Sequence, residues 1–263
     1  MKKWLKNILL KNKFFKKIFY QHINKQYRKY YSSFSSSSYS RDFSFYTKLI
    51  GPTNLIFDVG ANRGNKTDVF CQLSNKVIAV EPDEKNVEIL RTRFKGNKKV
   101  IIENVALSSS NKIEKMFVLG DGDERNTLSI KWKGYIENPL NLRSEQMGFS
   151  DIKEVQTLTL QELICKYGIP DYIKIDVEGY ELEVLKGLSQ KIRLISFESN
   201  LPEFLEETIQ CIKLLYKLSG TSKYNYSFEN SFMLDEWIGY DEFSTIIKNI
   251  EFRTIEIFCR MEL

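Results

Sequence analysis

The stretch YIKIDVEGYELEVLKGL (Tyr172 to Leu188) ends an apolar run in two carboxylates two residues apart, Asp176 and Glu178, followed at once by glycine and a helical pattern. A second group of chemistry-bearing residues lies upstream in LIFDVGANRG, where Asp58 precedes a turn holding Gly60, Asn62 and Gly64, and in VIAVEP, which closes on Glu81. A third acid, Glu198, ends the apolar run RLISFE. Carboxylates at the ends of buried strands suit proton acceptance, the orientation of hydroxyl groups and the binding of ribose. The single histidine, His22, lies far upstream, so a carboxylate is the expected general base.

The turn after Asp58 indicates which nucleotide it would hold. Glycines let a backbone approach a ligand closely, and an acid about 20 positions on can accept both ribose hydroxyls. From Gly60 to Glu81 the distance is 21. A dinucleotide turn would require glycine where this chain has Asn62 and Asn65. The acid ahead of Gly60 repels a pyrophosphate but can face an amino group, such as that on the methionine part of S-adenosylmethionine. The residues therefore favour a sulfonium cofactor over NAD. A plain strand-to-helix turn is the alternative for the glycines, and first-turn capping is the alternative for Asp176 and Glu178.

The elements that position these residues alternate. Short apolar runs at Leu55–Gly60, Val77–Pro82, Val100–Leu107, Tyr172–Val177 and Arg193–Glu198 read as strands. Between them lie helical patterns, one through Val87, Leu90 and Phe94 and another through Leu182, Leu185 and Leu188. Two further strands are expected near YNYSFENSFML and TIEIFCRMEL. Such alternation indicates an α/β domain with a mainly parallel sheet. Residues 111–155, with a Gly-Asp-Gly turn and the segment NTLSIKW, break the alternation and read as an insertion or lid.

Composition sets the outer limits. The chain has 263 residues, 42% of them hydrophobic, enough for one large core. The four cysteines, Cys71, Cys165, Cys211 and Cys259, form no C-x-x-C pair, so a reducing, cytoplasmic setting is expected, with no disulfide framework or zinc site. The uncharged stretch Asn7–Leu10 is too short for a signal-peptide core, and no run approaches the ~18 apolar residues of a spanning helix. Residues 1–31 carry ten Lys or Arg and no acid, which leaves 29 basic against 34 acidic residues in the rest of the chain, a net of −5. This basic arm places Leu5, Ile8, Leu9, Phe15, Ile18 and Phe19 near one helical face. It suits peripheral attachment to an anionic membrane at its inner face or packing on protein. Nucleic acid is not expected as a partner. Residues 32–50, rich in serine at their start, read as a linker and lead-in to a domain over 51–263.

The segments FDVGANRGNKT, VIAVEPDEKNVEIL, ENVALS, VQTLTLQEL and YIKIDVEGYELEVLKGL, in this order and spacing, resemble the FkbM family of S-adenosylmethionine-dependent methyltransferases. The resemblance runs from about residue 54 to at least residue 199, and IDVEGYELEVLKG carries most of it. It implies a class I methyltransferase fold, Rossmann-like, with a seven-stranded mainly parallel sheet, helices on both faces and the last strand antiparallel. It implies O-methylation, often of a saccharide hydroxyl in a polysaccharide, glycan or glycosylated metabolite. By the resemblance, Asp58, Gly60, Ala61, Asn62 and Gly64 hold the methionine and ribose side of the cofactor. Glu81 with Pro82 takes the ribose, and Asn104, Val105 and Ala106 border the adenine. Thr67 either caps the first helix or touches the cofactor carboxylate. Asp176, Glu178 and Glu198 face the transferred methyl as catalytic candidates. A divalent ion between Asp176 and Glu178 is the less favoured reading, and no metal is assigned. Two alternatives stand beside the enzyme reading: a nucleotide-binding oxidoreductase, and a non-catalytic membrane-peripheral adaptor on the same scaffold.

Overall fold

The computed structural model describes residues 38–138 and 148–262. The basic arm and most of the serine-rich stretch lie outside the described residues. The chain divides into two compact units, Met1–Ser44 and Phe45–Leu263. Of the first, residues 38–44 are described; they are helical, with the rings of Tyr39 and Phe43 stacked at 6.2 Å. The residues that line the candidate site all belong to the second unit. No helix among the described residues is long and apolar enough to cross a membrane.

The second unit is built on one large sheet. Strand β1 (Thr53–Val59) pairs in parallel with β2 (Ser74–Val80) on one side and with β7 (Tyr172–Ile175) on the other. Beyond β2 lies β3 (Val100–Glu103), and beyond β7 lies β8 (Leu194–Asn200), both parallel. Strand β12 (Thr254–Arg260) runs antiparallel between β8 and β9 (Lys223–Phe228). The order β3-β2-β1-β7-β8-β12-β9, with the last strand antiparallel, is the class I methyltransferase sheet expected from the sequence. Two-residue strands β10 (Ser231–Phe232) and β11 (Ile238–Gly239) add to β9, so the sheet has nine strands where seven were expected.

The sheet is buried on both faces, which explains the near-continuous apolar runs. Along β7, Ile173 and Ile175 join Phe57, Val59 and Phe197 in the main core, while Tyr172 and Lys174 face the opposite side with Tyr46 and Phe70. The helices follow local signals. Helix α2 (Glu84–Arg93) starts on Asp83, whose side chain accepts from the backbone N–H of Lys85 and Asn86. Helix α4 (Leu160–Tyr167) starts on a capping box in which Thr159 and Glu162 satisfy each other's backbone donors.

One expected strand is divided. The run Val100–Leu107 ends as β3 at Glu103, and Ala106–Leu107 forms β4 in a separate three-stranded sheet, order β4-β6-β5. Asn104 turns the chain there: its amide donates to the carbonyls of Glu81 (3.2 Å) and Pro82 (3.1 Å), pulling the backbone toward the end of β2. The small sheet is completed by β5 (Ile113–Val118) and β6 (Asp151–Leu158), so it is built largely from the expected insertion, which also carries α3 (Ile130–Glu137).

Candidate active site

The strand order reverses between β1 and β7, and in open α/β sheets that crevice, beyond the carboxyl ends of the strands, is where ligands bind. A cavity of about 340 Å³ opens there. Gly60, Glu81 and Asp176, the first residues past β1, β2 and β7, line it together with Glu198, two residues before the end of β8.

The β1 turn is drawn tightly into place. The N–H groups of Gly60 and Ala61 both donate to the Val80 carbonyl at 3.0 Å, and the Asp176 N–H donates to the Val59 carbonyl at 3.0 Å. Gly60 has φ +79°, and a Cβ built on it would lie 1.8 Å from the Asp176 carbonyl oxygen. The close approach of the turn to the end of β7 therefore requires glycine. Gly64, also left-handed, is the N-cap residue of α1 (Asn65–Leu73) and packs against Leu90 and Phe94.

Asp58 and Thr67 face each other rather than the cavity. Asp58 is 1% exposed, and the Thr67 hydroxyl donates to its Oδ2 at 2.5 Å. Burial raises the Asp58 carboxyl above the usual range, with Lys174 and the Thr67 hydroxyl pulling it back. The pair braces the turn against α1. Ala61, Gly64 and Asn104 likewise shape the turns around the cavity, whereas Asn62, Pro82, Val105 and Ala106 line it.

Glu81 is held at the cavity wall by two backbone donors, Asn62 N–H to Oε2 (2.8 Å) and Asp83 N–H to Oε1 (2.9 Å). Burial nevertheless pushes its carboxyl up to about 7. Each oxygen retains a lone pair for a ligand hydroxyl. Two amide oxygens in the same wall, Asn62 Oδ1 and Asn86 Oδ1, are buried without a hydrogen-bond partner. Buried acceptors of this kind fit a ligand that brings N–H and O–H donors, as the adenosine and ammonium of S-adenosylmethionine do.

The insertion supplies a third wall that the sequence did not place. Residues 123, 124 and 126–128 line the cavity. Their loop is tied to the nucleotide side by Asn126 Nδ2 to Asp83 Oδ2 (2.9 Å) and Arg63 Nη2 to the Gly122 carbonyl (3.0 Å), and to the β7 loop by the Thr127 hydroxyl to the Glu178 carbonyl (2.7 Å). The forked Arg125 guanidinium holds the Asp123 carboxyl below its usual value.

At the opposite end, Asp176, Glu178 and Glu198 bring carboxylate oxygens within 4.8 Å of one another. A hard divalent ion can span such a spacing, but nothing further in the site points to one. Lys174 Nζ donates to Asp176 Oδ2 at 2.7 Å. Burial, the Glu198 charge and the Asp176 charge push the Glu178 carboxyl well above the usual range. Burial and Asp176 push Glu198 up to about 8, against the pull of Lys174. Glu178 sits at φ +55°, a backbone region sparsely populated by non-glycine residues and found at sites where geometry is imposed.

Neither Asp176 nor Glu178 caps the following helix. Glu181, in the first turn of α5 (Glu181–Lys186), accepts from the N–H groups of Val177 (3.1 Å) and Gly179 (3.2 Å), and the N-cap residue Tyr180 makes no side-chain cap. Tyr180 lines the cavity, its hydroxyl donating to Glu114 Oε2 on β5 at 2.6 Å, while Ser108 donates to Oε1 at 2.5 Å. The tyrosine within EGYE was visible in the sequence; its partner on β5 was not.

The family profile described as Methyltransferase FkbM domain matches residues 58–232. No curated protein sequence matches the chain. Among solved structures, the plantazolicin methyltransferase BpumL in complex with SAH is similar at 12% identity, covering 92% of this chain and 90% of that one, with a TM-score of 0.45. An rRNA methylase from Streptococcus thermophilus aligns at 10% identity over 84% of this chain and 94% of its own, TM-score 0.43. Precorrin-6y C5,15-methyltransferase from Geobacter metallireducens aligns at 9% identity over 86% and 87%, TM-score 0.42. The family match spans about two thirds of the chain, from Asp58 past every cavity-lining residue, and the protein belongs to the FkbM methyltransferase family, whose methyl donor is S-adenosylmethionine.

Proposed function

We propose that the protein transfers the methyl group of S-adenosylmethionine to a hydroxyl of a saccharide, in a polysaccharide, glycan or glycosylated metabolite. The observation that carries this reading is that Asp176, Glu178 and Glu198 converge in the same cavity as Gly60, Asn62 and Glu81, joining a proton-accepting end to a nucleoside-holding end. Family membership removes the ground for the oxidoreductase alternative.

Gly60, Asn62, Glu81, Pro82, Asn86, Val105 and Ala106 hold the cofactor in this reading, with Glu81 accepting from the ribose. S-adenosylmethionine, when bound, would supply an electrophilic methyl carbon to the acceptor oxygen, the methyl–sulfur bond breaking to leave S-adenosylhomocysteine while the O–H proton passes to a carboxylate. Asp176 is the proton acceptor, because it is the acid of the three whose carboxylate receives the Lys174 ammonium. Glu178 and Glu198, both pushed upward, are suited to hydrogen-bond neighbouring hydroxyls as donor or acceptor. The 120–128 loop, bound to Asp83, Arg63 and Glu178, walls the cavity between its two ends. A polyhydroxyl acceptor suits a cavity whose described lining includes six carboxylate residues and no Lys, Arg or His.

The test is to incubate the full chain with methyl-labelled S-adenosylmethionine and extracted glycans, then locate the label by mass spectrometry. Label on a saccharide oxygen is expected. Label confined to nitrogen, carbon or protein overturns the reading.

A further inference from the structure

Strand β7 carries a lysine where its burial calls for an apolar residue. Lys174 is 5% exposed, at the centre of the parallel sheet, with Asp58 on β1 and Ser196 on β8 as its register neighbours. A buried ammonium is strongly unfavourable unless paired, and a methionine or leucine would fill the position without that penalty. Burial pulls the Lys174 amine down, yet the charges of Asp176, Glu256 and Asp58 outweigh it and keep the side chain cationic.

Those three acids are not equivalent partners. Asp58 is already served by the Thr67 hydroxyl at 2.5 Å. Glu256, on β12, accepts from the Ser196 hydroxyl at 2.6 Å and the Tyr46 hydroxyl at 3.3 Å. Asp176 is the carboxylate that takes the amine directly, at 2.7 Å through Oδ2, and it is the one of the three that lines the cavity. The other groups facing Asp176 are acids: Glu178 in its own loop, Glu198 from β8, Glu181 from α5 and Asp58 from β1. Lys66, on α1, faces Asp58.

We propose that Lys174 is a positioning residue for methyl transfer: its buried ammonium anchors Oδ2 of Asp176 and holds that carboxylate turned so that Oδ1 meets the acceptor hydroxyl. The inference rests on the reading above in which Asp176 is the base, and it extends the site to a residue that never touches substrate. Lys174 also pulls the neighbouring Glu198 carboxyl back toward its usual range.

The experiment compares Lys174→Met and Lys174→Gln with the parent chain, alone and combined with Asp176→Asn. For each, the readouts are the melting temperature, S-adenosylhomocysteine affinity by calorimetry, and kcat and acceptor KM across pH. Both single variants are expected to fold and to bind S-adenosylhomocysteine. Their kcat should fall by about two to three powers of ten while acceptor KM changes little. Removing the cation moves the acid limb of the rate profile to higher pH, a shift that a merely structural role would not produce. In the Asp176→Asn background, removing Lys174 adds almost no further loss, because the two act as one unit. Parent-like kcat and pH profile in both variants overturn the inference. So does a fully multiplicative loss in the double variant, and so does failure of both variants to fold, which makes Lys174 a counter-ion for Asp58 and Glu256 alone. The underlying reading fails separately: if the parent places no methyl on a saccharide hydroxyl, or Asp176→Asn turns over at the parent rate.

Discussion

Gly60→Ala is the sharpest test of how the turn and the β7 loop are joined. The added Cβ would sit 1.8 Å from the Asp176 carbonyl oxygen, where real Cβ contacts essentially never fall below 3.0 Å, so the strands must separate locally by about 1.2 Å. The left-handed backbone, φ +79°, adds about 1–2 kcal/mol for any residue with a Cβ. The obstacle is backbone, not the far end of a flexible side chain, and the total loss of stability is expected at about 3–5 kcal/mol. Gly96→Ala supplies the control. Gly96 has φ +83° but nothing within 4 Å of its would-be Cβ, so it should lose only the backbone part, about 1–2 kcal/mol. Because the displaced carbonyl belongs to Asp176, activity per folded molecule should also fall by about 10²-fold in Gly60→Ala, the usual consequence of a 1 Å misplacement. Denaturant melts give the stabilities, and initial rates normalised to folded protein give the second quantity. Equal stability losses at the two glycines would refute the contact argument.

Three further perturbations probe separate parts of the site. Asp176→Asn keeps the shape of the base and should lower turnover by about two to four powers of ten with S-adenosylhomocysteine affinity, measured by calorimetry, nearly unchanged. Glu81→Ala should weaken S-adenosylhomocysteine by about 1–3 kcal/mol through lost charge-assisted bonds to the ribose. In the parent, S-adenosylhomocysteine binding near pH 7 should release protons, because Glu81 stands near 7 when the ribose is absent; calorimetry in two buffers of different ionisation enthalpy reads the number. Glu181 is likewise raised to about 7 by burial. Its folded form holds a proton that the unfolded chain loses near 4.5, so the Glu181 contribution to stability is full at low pH and declines as pH rises through the window from about 4.5 to about 7. Glu181→Gln should flatten that decline in a series of thermal melts, and an unchanged slope would assign the effect elsewhere.

Much of this arrangement is legible in the chain because strand ends are legible. Apolar runs closing on Glu81 and Asp176 mark where β2 and β7 stop, the run closing on Glu198 falls two residues short of the end of β8, and a parallel sheet sends those ends to one side. What the sequence could not show is the direction in which a side chain turns after the strand ends. Asp58 is the last residue but one of β1, level with Lys174, and turns into the protein toward Thr67, whereas Asp176 lies one residue past β7 and lines the cavity. The 120–128 loop was recognisable only as a break in alternation, since what fixes it is long-range: Asp83 and Arg63 on one side and the Glu178 carbonyl on the other. Likewise, no local pattern marks Asn104 as the point where one apolar run becomes two strands in two sheets, because its partners are the carbonyls of Glu81 and Pro82.

Strand β7 shows why stability and chemistry are bound together in this site. Its four residues divide by alternation: Ile173 and Ile175 enter the main core, and Tyr172 and Lys174 enter a buried polar row with Asp58, Ser196 and Glu256 on neighbouring strands. The row is satisfied internally through Thr67, Tyr46 and Tyr172 hydroxyls, so it can carry charge inside the sheet without orphaned polar groups. Asp176 is where that row reaches the cavity. At the same residue the backbone N–H closes on Val59 and the carbonyl meets Gly60, which places the proposed base against the glycine turn across the β1–β7 ladder. A displacement of either strand therefore moves both ends of the reaction at once, and the point of strand-order reversal is the one place in the sheet where a single register fixes them together.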